Sequence, residues 1–184
     1  QGWTAYARLN LGIALVRQGR LAEAAPVLHS LGTMYALAPE MLALKDRANL
    51  TLGVAYLQAK QPALARETLD GVRLDGPFSD EALLAAGWAE AADGNYRAAL
   101  TPWLALQGRS PLDAAVQEAE LTVPYAFVQL RAPGQAAQYY QTALGSYDQA
   151  SAQIDGAIAR IRGGSLLAEL LAREADSPAA SMAG

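Results

Sequence analysis

The side chains that could do acid–base or metal chemistry are few and scattered along this sequence. The single histidine, His29, has no carboxylate at ligand spacing, and the chain has no cysteine, so neither a metal site nor a thiol site is predicted. Glu118 and Glu120 are two residues apart, which on a helix places them on different faces and makes them a poor catalytic pair. No GxSxG or HExxH sequence occurs. We therefore predict no catalytic residue, no metal and no cofactor.

The amino-acid composition of the chain disfavours two classes of partner, nucleic acid and the interior of a membrane. The 184 residues carry a net charge of −4 without any long run of Lys or Arg, which disfavours nucleic-acid binding because that needs concentrated positive charge. No apolar run approaches the roughly 20 residues that span a bilayer. We therefore expect neither a nucleic-acid partner nor a membrane span.

The source and location of the chain are indicated only weakly. Abundant Ala, Leu and Arg with only two lysines indicate a GC-rich bacterium. Because the chain starts at Gln1, we expect a processed protein or a piece of a longer one. This start favours the periplasm or cell envelope over the cytoplasm, and the compartment is otherwise unknown.

Small and large residues recur at fixed spacings, which is the signature of an internal repeat. Three glycines can serve as reference positions, each followed twelve residues later by alanine and sixteen later by a large apolar residue. The sets are Gly12, Ala24 and Leu28; Gly53, Ala65 and Leu69; and Gly87, Ala99 and Trp103. A fourth, degenerate copy contains Ala136, Tyr140 and Ala143, with Pro124 at the glycine position.

This pattern resembles the tetratricopeptide repeat, a helix–turn–helix unit of about 34 residues, over roughly residues 3–145. The resemblance also rests on Leu11, Gly19, Leu52, Tyr56, Pro77, Gly94 and Pro111. It implies an all-α, right-handed superhelical solenoid of about four helical hairpins. We expect the solenoid over 1–145, an extended C-terminal helix with a short capping helix over 146–174, and a disordered tail over 175–184.

Glycine inside a helix lowers the stability of the helix by about 0.5–1 kcal/mol relative to alanine, so three glycines at equivalent helical positions require a structural explanation. We expect them to let the alanines of the second helix approach closely, while Leu28, Leu69 and Trp103 fill the space where the helices splay. Gly19 and Gly94 are expected to end first helices in a left-handed conformation. Lys60 stands at that place in the second copy.

The apolar periodicity and the capping residues predict nine helices. Ser110 and Pro111 are expected to open the seventh, with Asp113 in its first turn. Pro102 and Pro124 fall inside predicted helices and are expected to kink them. Asp46 beside Arg47 suggests a surface pair. The predicted helices are 4–18, 21–31, 40–59, 62–73, 80–93, 95–107, 111–130, 135–162 and 165–174.

A heptad pattern runs through the last long helix from Tyr140 to Ile161, with Ser151 as its one polar member. A possible oligomer seam is formed by Tyr147, Ile154, Ile158 and Ile161. The helix could cap the solenoid with the Leu-rich segment 166–171 folded on it, protrude as an arm that pairs with another chain, or join a further domain.

In the tetratricopeptide family the first helices line a concave groove, and the resemblance implies which residues would face it. Leucine or another apolar residue replaces the Lys, Arg and Asn of the family's carboxylate clamp, so that clamp is excluded. Leu9, Leu50, Leu84 and Leu121 can equally be interhelical packing, whereas Trp88 and Tyr125 are better contact candidates. The predicted partner-binding residues are Tyr6, Ile13, Arg17, Arg47, Val54, Gln58, Trp88, Tyr125 and Gln129.

The sequence thus predicts a non-enzymatic scaffold or adaptor that binds a hydrophobic peptide or helix in its concave groove. The alternative is a structural or assembly subunit that self-associates through the long C-terminal helix. A third possibility is a regulatory portion of an enzyme.

Overall fold

The regular structure of the protein is α-helical throughout residues 2–164, the range that the computed structural model describes. The helices in this range are α1 (Gly2–Arg17), α2 (Leu21–Gly32), α3 (Pro39–Gln58), α4 (Pro62–Leu69), α5 (Ser79–Ala92), α6 (Tyr96–Leu106), α7 (Ala114–Gln129) and α8 (Pro133–Arg162). They confirm the predicted all-α class and the first eight predicted helices. The helix predicted over 165–174 and the tail predicted over 175–184 lie outside the described residues.

The helices follow one another as hairpins. From α1 to α7 each helix contacts the next, and the first helices α1, α3, α5 and α7 also contact one another in series. Helix α8 meets α7 where the rings of Phe127 and Tyr139 stack with centroids 5.1 Å apart. The chain is an all-α solenoid of helical hairpins. It divides into two compact units, Gln1–Ala143 and Leu144–Gly184.

The reference glycines of the first three hairpins lie against the large residue of the second helix. A Cβ placed at Gly53 would come within 2.6 Å of Leu69 Cγ, and the same atom at Gly12 or Gly87 would clash with Leu28 or Trp103. The nearest neighbour of an added methyl group is therefore the large residue sixteen positions later, which fills the space that the glycine leaves. Ala24, Ala65 and Ala99 are fully buried, so they belong to the same core without being the nearest neighbours.

The turns inside the hairpins share a left-handed residue. Gly19 and Gly94 have φ of 72° and 77°, as predicted, and Lys60 adopts 58° at the same place in the second hairpin. Arg131 adopts 57° between α7 and α8. The backbone geometry of this turn is thus repeated in all four hairpins, although only two of them use the glycine that tolerates it most easily.

Two predicted helix ends were wrong. Helix α4 ends at Leu69 rather than at residue 73, and Asn49 of α3 donates to the Gly71 carbonyl just beyond this end, at 3.1 Å. Helix α7 begins at Ala114 rather than at residue 111. Asp113 is its N-cap and accepts from the backbone N–H groups of Ala115 and Val116, two of the donors that the first turn of the helix leaves without an intrahelical partner.

The surface pair expected between Asp46 and Arg47 does not form. Asp46 is fully buried and binds Arg73, whose Nη2 lies 2.7 Å from Asp46 Oδ2 and whose backbone N–H donates to Oδ1. This hydrogen bond raises the pKa of Arg73. Arg47 instead lies over the ring of Phe78. The buried carboxylate of Asp46 therefore anchors the segment between α4 and α5 to α3, the first helix of the same hairpin.

The next hairpin repeats this arrangement. Asp80 stands 34 residues after Asp46 and is paired with Arg109, which also donates to Ser79 Oγ at 2.8 Å. Arg109 lies in the connection after α6, as Arg73 lies in the connection after α4. The ion pair is thus a repeat feature, although its arginines stand at different spacings from the reference glycines.

In the second unit, the predicted seam residues Ile154, Ile158 and Ile161 are exposed on α8, and Tyr147 is half-buried. Their pairing with another chain stays a prediction. Within residues 2–164 no helix has both the length and the apolar character required to cross a bilayer.

The glycine contact can be tested by adding one methyl group. Gly53→Ala places that group against Leu69 and is expected to lower the free energy of unfolding by about 1–3 kcal/mol. Gly145→Ala is the matched control, because a Cβ there meets nothing within 4 Å, and alanine is expected to stabilise the helix by about 0.5–1 kcal/mol. Urea denaturation measures both, and equal effects at the two sites would contradict the contact.

Candidate functional site

The two tryptophans of the third hairpin lie in different environments, one buried and one partly exposed, as the repeat register predicts. Trp103 is fully buried and its Nε1 donates to the Leu84 carbonyl at 3.1 Å. Trp88 is 37% exposed, and its ring meets the Trp103 ring edge-on with centroids 5.2 Å apart. Its Nε1 donates to Glu118 Oε1 of α7 at 2.7 Å. Trp88 is therefore held in place on two sides while part of its ring stays accessible.

An apolar cavity of about 500 Å³ opens beside Trp88, between α3 and α5. Three of its lining residues, Val54, Gln58 and Trp88, are among the predicted partner-binding residues. Its polar groups are the amide of Gln58 and the carboxylate of Glu81. The lining residues are Val54, Leu57, Gln58, Glu81, Leu84, Ala85, Trp88 and Ala92.

Two tyrosines extend the aromatic surface toward α7. The ring of Tyr125 lies 6.4 Å from Trp88, and Tyr96 of α6 meets Tyr125 edge-on at 5.8 Å. The Tyr96 and Tyr125 hydroxyls are 3.5 Å apart, and this hydrogen bond, together with partial loss of solvent, raises the pKa of Tyr96. Sequence reasoning missed Tyr96 because it lies on a second helix. The sequence feature that could have indicated Tyr96 is its position directly after the Gly94–Asn95 turn.

The other predicted binding residues lie apart from this cavity. Tyr6 is 46% exposed, and Arg17 and Gln129 are also exposed. Ile13 is partly buried against the core between the first two hairpins, and Arg47 lies over Phe78. Of the nine predicted residues, the structure brings together Val54, Gln58, Trp88 and Tyr125.

The four leucines that stand three residues before the reference residues are not equally buried. Leu9 and Leu50 are buried at 7% and 6%, Leu84 lines the cavity, and Leu121 is 49% exposed. The packing interpretation therefore holds for Leu9 and Leu50, and Leu84 both packs against the core and lines the cavity.

The carboxylates near the groove do not converge on a reacting centre. Glu118 is exposed and bonded to Trp88, whereas Glu120 is buried and its Oε2 has no hydrogen-bond partner among the described residues. Within residues 2–164 no group of three His, Cys, Asp or Glu side chains could hold a metal ion. What the site offers chemically is an apolar surface with a polar rim.

Two solved structures of MamA are similar to this chain. MamA MSR-1 C2 has 17% sequence identity and a TM-score of 0.47, over 80% of this chain and 98% of that one. A mutant of MamA has 16% identity and a TM-score of 0.45, over 79% of this chain and 98% of that one. No family model matches the chain, and a search of curated proteins finds no similar sequence.

The tyrosine pair can be tested through pH. Because the folded pKa of Tyr96 is raised, the hydrogen bond stabilises the fold below about pH 10, the ordinary tyrosine pKa, and this contribution is lost as pH rises through the folded pKa. Tyr125→Phe removes the partner, so Tyr96 should ionise at a lower pH, as measured by NMR of ring-labelled tyrosine. Tyr35→Phe, at an exposed loop tyrosine, should leave Tyr96 unchanged, and an unmoved Tyr96 titration in Tyr125→Phe would contradict the pair.

Proposed function

We propose that the protein is a non-enzymatic scaffold or adaptor that binds an apolar segment of a partner protein in the cavity between α3 and α5. The observation that carries the proposal is Trp88, which is held by Glu118 and Trp103 yet left partly open beside an apolar cavity. Aromatic side chains in such places supply much of the binding energy in protein interfaces.

Preorganisation of Trp88 favours binding. A side chain that is ordered on binding costs about 0.5–1.5 kcal/mol in lost rotamer freedom. Trp88 has lost much of that freedom in the free protein, because its Nε1 is bonded to Glu118 and its ring lies against Trp103. A partner therefore gains contact with the ring without paying the full ordering cost.

The cavity also indicates the chemistry of the segment. Its volume of about 500 Å³ admits a few large apolar side chains, and it falls within the range of roughly 300–1,000 Å³ of pockets that bury most of a small ligand. Gln58 and Glu81 at the rim can bond to backbone N–H groups or to a basic side chain that flanks the apolar ones. Helical and extended segments both present apolar residues in this way.

Peptide capture tests this proposal. A displayed library of random peptides is selected on the wild-type protein, and the dissociation constants of selected peptides are measured for wild type, Trp88→Ala and Tyr35→Ala. Loss of a central aromatic contact should weaken binding about 30-fold or more. Tyr35, an exposed aromatic residue outside the cavity, is the matched control.

Selected peptides should carry large apolar residues and should bind Tyr35→Ala as they bind wild type. Peptides that bind Trp88→Ala with unchanged affinity would place the binding surface elsewhere and would contradict the proposal.

A further inference from the structure

The first helices present one face to the preceding hairpin, and this face is buried in α3 and α7 and largely covered in α5, where two of its members are only partly buried. We call it the leading face; its residues lie nine, five and one positions before the reference residue and two after it. In α3 these are Leu44, Ala48, Leu52 and Ala55, each no more than 5% exposed. In α7 they are Ala115, Ala119, Val123 and Ala126, again no more than 5% exposed.

The equivalent face of α1 has the same chemistry but is open. Its residues are Trp3, Ala7, Leu11 and Ala14, which match the α3 set in three of four residue types. All four are exposed, with Trp3 at 90% and Leu11 at 53%. Among the described residues nothing covers on α1 the face that α3 and α7 bury.

A second face of the first helices receives the leading face of the next hairpin. We call it the trailing stripe; its residues lie three before, one after and four after the reference residue. Leu9, Ile13 and Val16 of α1 pack in one cluster with Ala48 and Leu52. Leu50, Val54 and Leu57 of α3 pack in another with Ala82 and Ala89.

On α7 the trailing stripe is open. Leu121 and Val128 are 49% and 50% exposed and Tyr125 is 36% exposed, whereas Leu9 and Leu50 at the position of Leu121 are buried. The first unit therefore exposes both halves of an interface that it forms internally between consecutive hairpins.

We propose that a second copy of this chain docks the leading face of its α1 on the α7 trailing stripe of the first copy. The occupant is indicated by the chain itself, because the exposed faces are the two complementary halves of its own inter-hairpin contact. A leading face and a trailing stripe are different surfaces, so the contact is heterologous and head-to-tail. Each added copy leaves one free face of each kind, so that assembly continues rather than closing at a dimer.

The polar residues beside these faces support the match. Arg8 of α1 stands at the position of Asn49, which donates to the Gly32 carbonyl at the end of the preceding second helix. The receiving second helix, α8, runs on to Arg162, so Arg8 meets no helix end there and instead brings a positive charge to the leading face. Glu118 of α7 is exposed and carries the opposite charge, although its Oε1 already accepts from Trp88.

The test is the mass of the 184-residue protein in solution, measured by sedimentation. Leu11→Asp disables the leading face of α1, and Leu121→Asp disables the trailing stripe of α7. Both side chains are about half exposed, so neither change should unfold the protein, and circular dichroism checks this. Wild type should self-associate as its concentration rises, and each variant alone should associate about 30-fold more weakly or not at all.

An equimolar mixture of the two variants gives the sharpest result. Leu121→Asp keeps an intact leading face and Leu11→Asp keeps an intact trailing stripe, so the mixture should form one-to-one dimers and nothing longer. Leu74→Asp, at an exposed leucine between α4 and α5, should assemble like wild type. So should Ile158→Asp, which alters the exposed seam of α8.

Other results overturn the proposal. One is a wild-type protein that stays monomeric up to about 1 mM, which is the weak end of the affinity range. The others are assembly that persists in either face variant and an equimolar mixture that remains monomeric. Assembly lost in Ile158→Asp and kept in Leu11→Asp would assign self-association to α8. Peptide capture by the groove is a separate readout, so either proposal can fail alone.

Discussion

The contact between a glycine of the first helix and the large side chain sixteen residues later sets the geometry of the first three hairpins. At Gly12, Gly53 and Gly87 the space of a methyl group is taken by Leu28, Leu69 or Trp103. Packing at this density leaves little room for rotation of either helix. The contact therefore decides which residues of α1, α3 and α5 face the second helix and which remain for other contacts.

The functional surfaces follow from that rotation. With Gly87 turned toward Trp103, the next residue, Trp88, lies over the cavity between α3 and α5. The same rotation turns one face of each first helix to the hairpin before it and another to the hairpin after it. The proposed binding in the groove and the proposed docking of a second copy would thus use neighbouring positions of the same repeat register.

Much of this could be predicted from the sequence because helical periodicity and the glycine spacing are local signals. Helix order, the left-handed turns at Gly19 and Gly94, and the burial of Trp103 all followed from them. Long-range polar contacts could not be predicted from local signals. Asp46 pairs with Arg73, 27 residues away, whereas the sequence suggested Arg47, the residue next to Asp46, as its partner. Tyr96 was missed because it lies on a second helix, whereas the groove residues were sought on first helices, and its contact with Tyr125 joins two hairpins. Asp113 displaced Ser110 as the cap of α7 because its carboxylate reaches two backbone N–H groups.

The most direct measurement of the central claim is a double-mutant cycle on Gly87 and Trp103, read as free energies of unfolding. Trp103→Val removes the ring atoms that a Cβ at residue 87 would meet. If the contact sets the helix geometry, Gly87→Ala should be clearly destabilising in the wild type and neutral or stabilising beside Trp103→Val, with a coupling energy of about 1–3 kcal/mol. An equal cost of Gly87→Ala in both backgrounds would contradict the account.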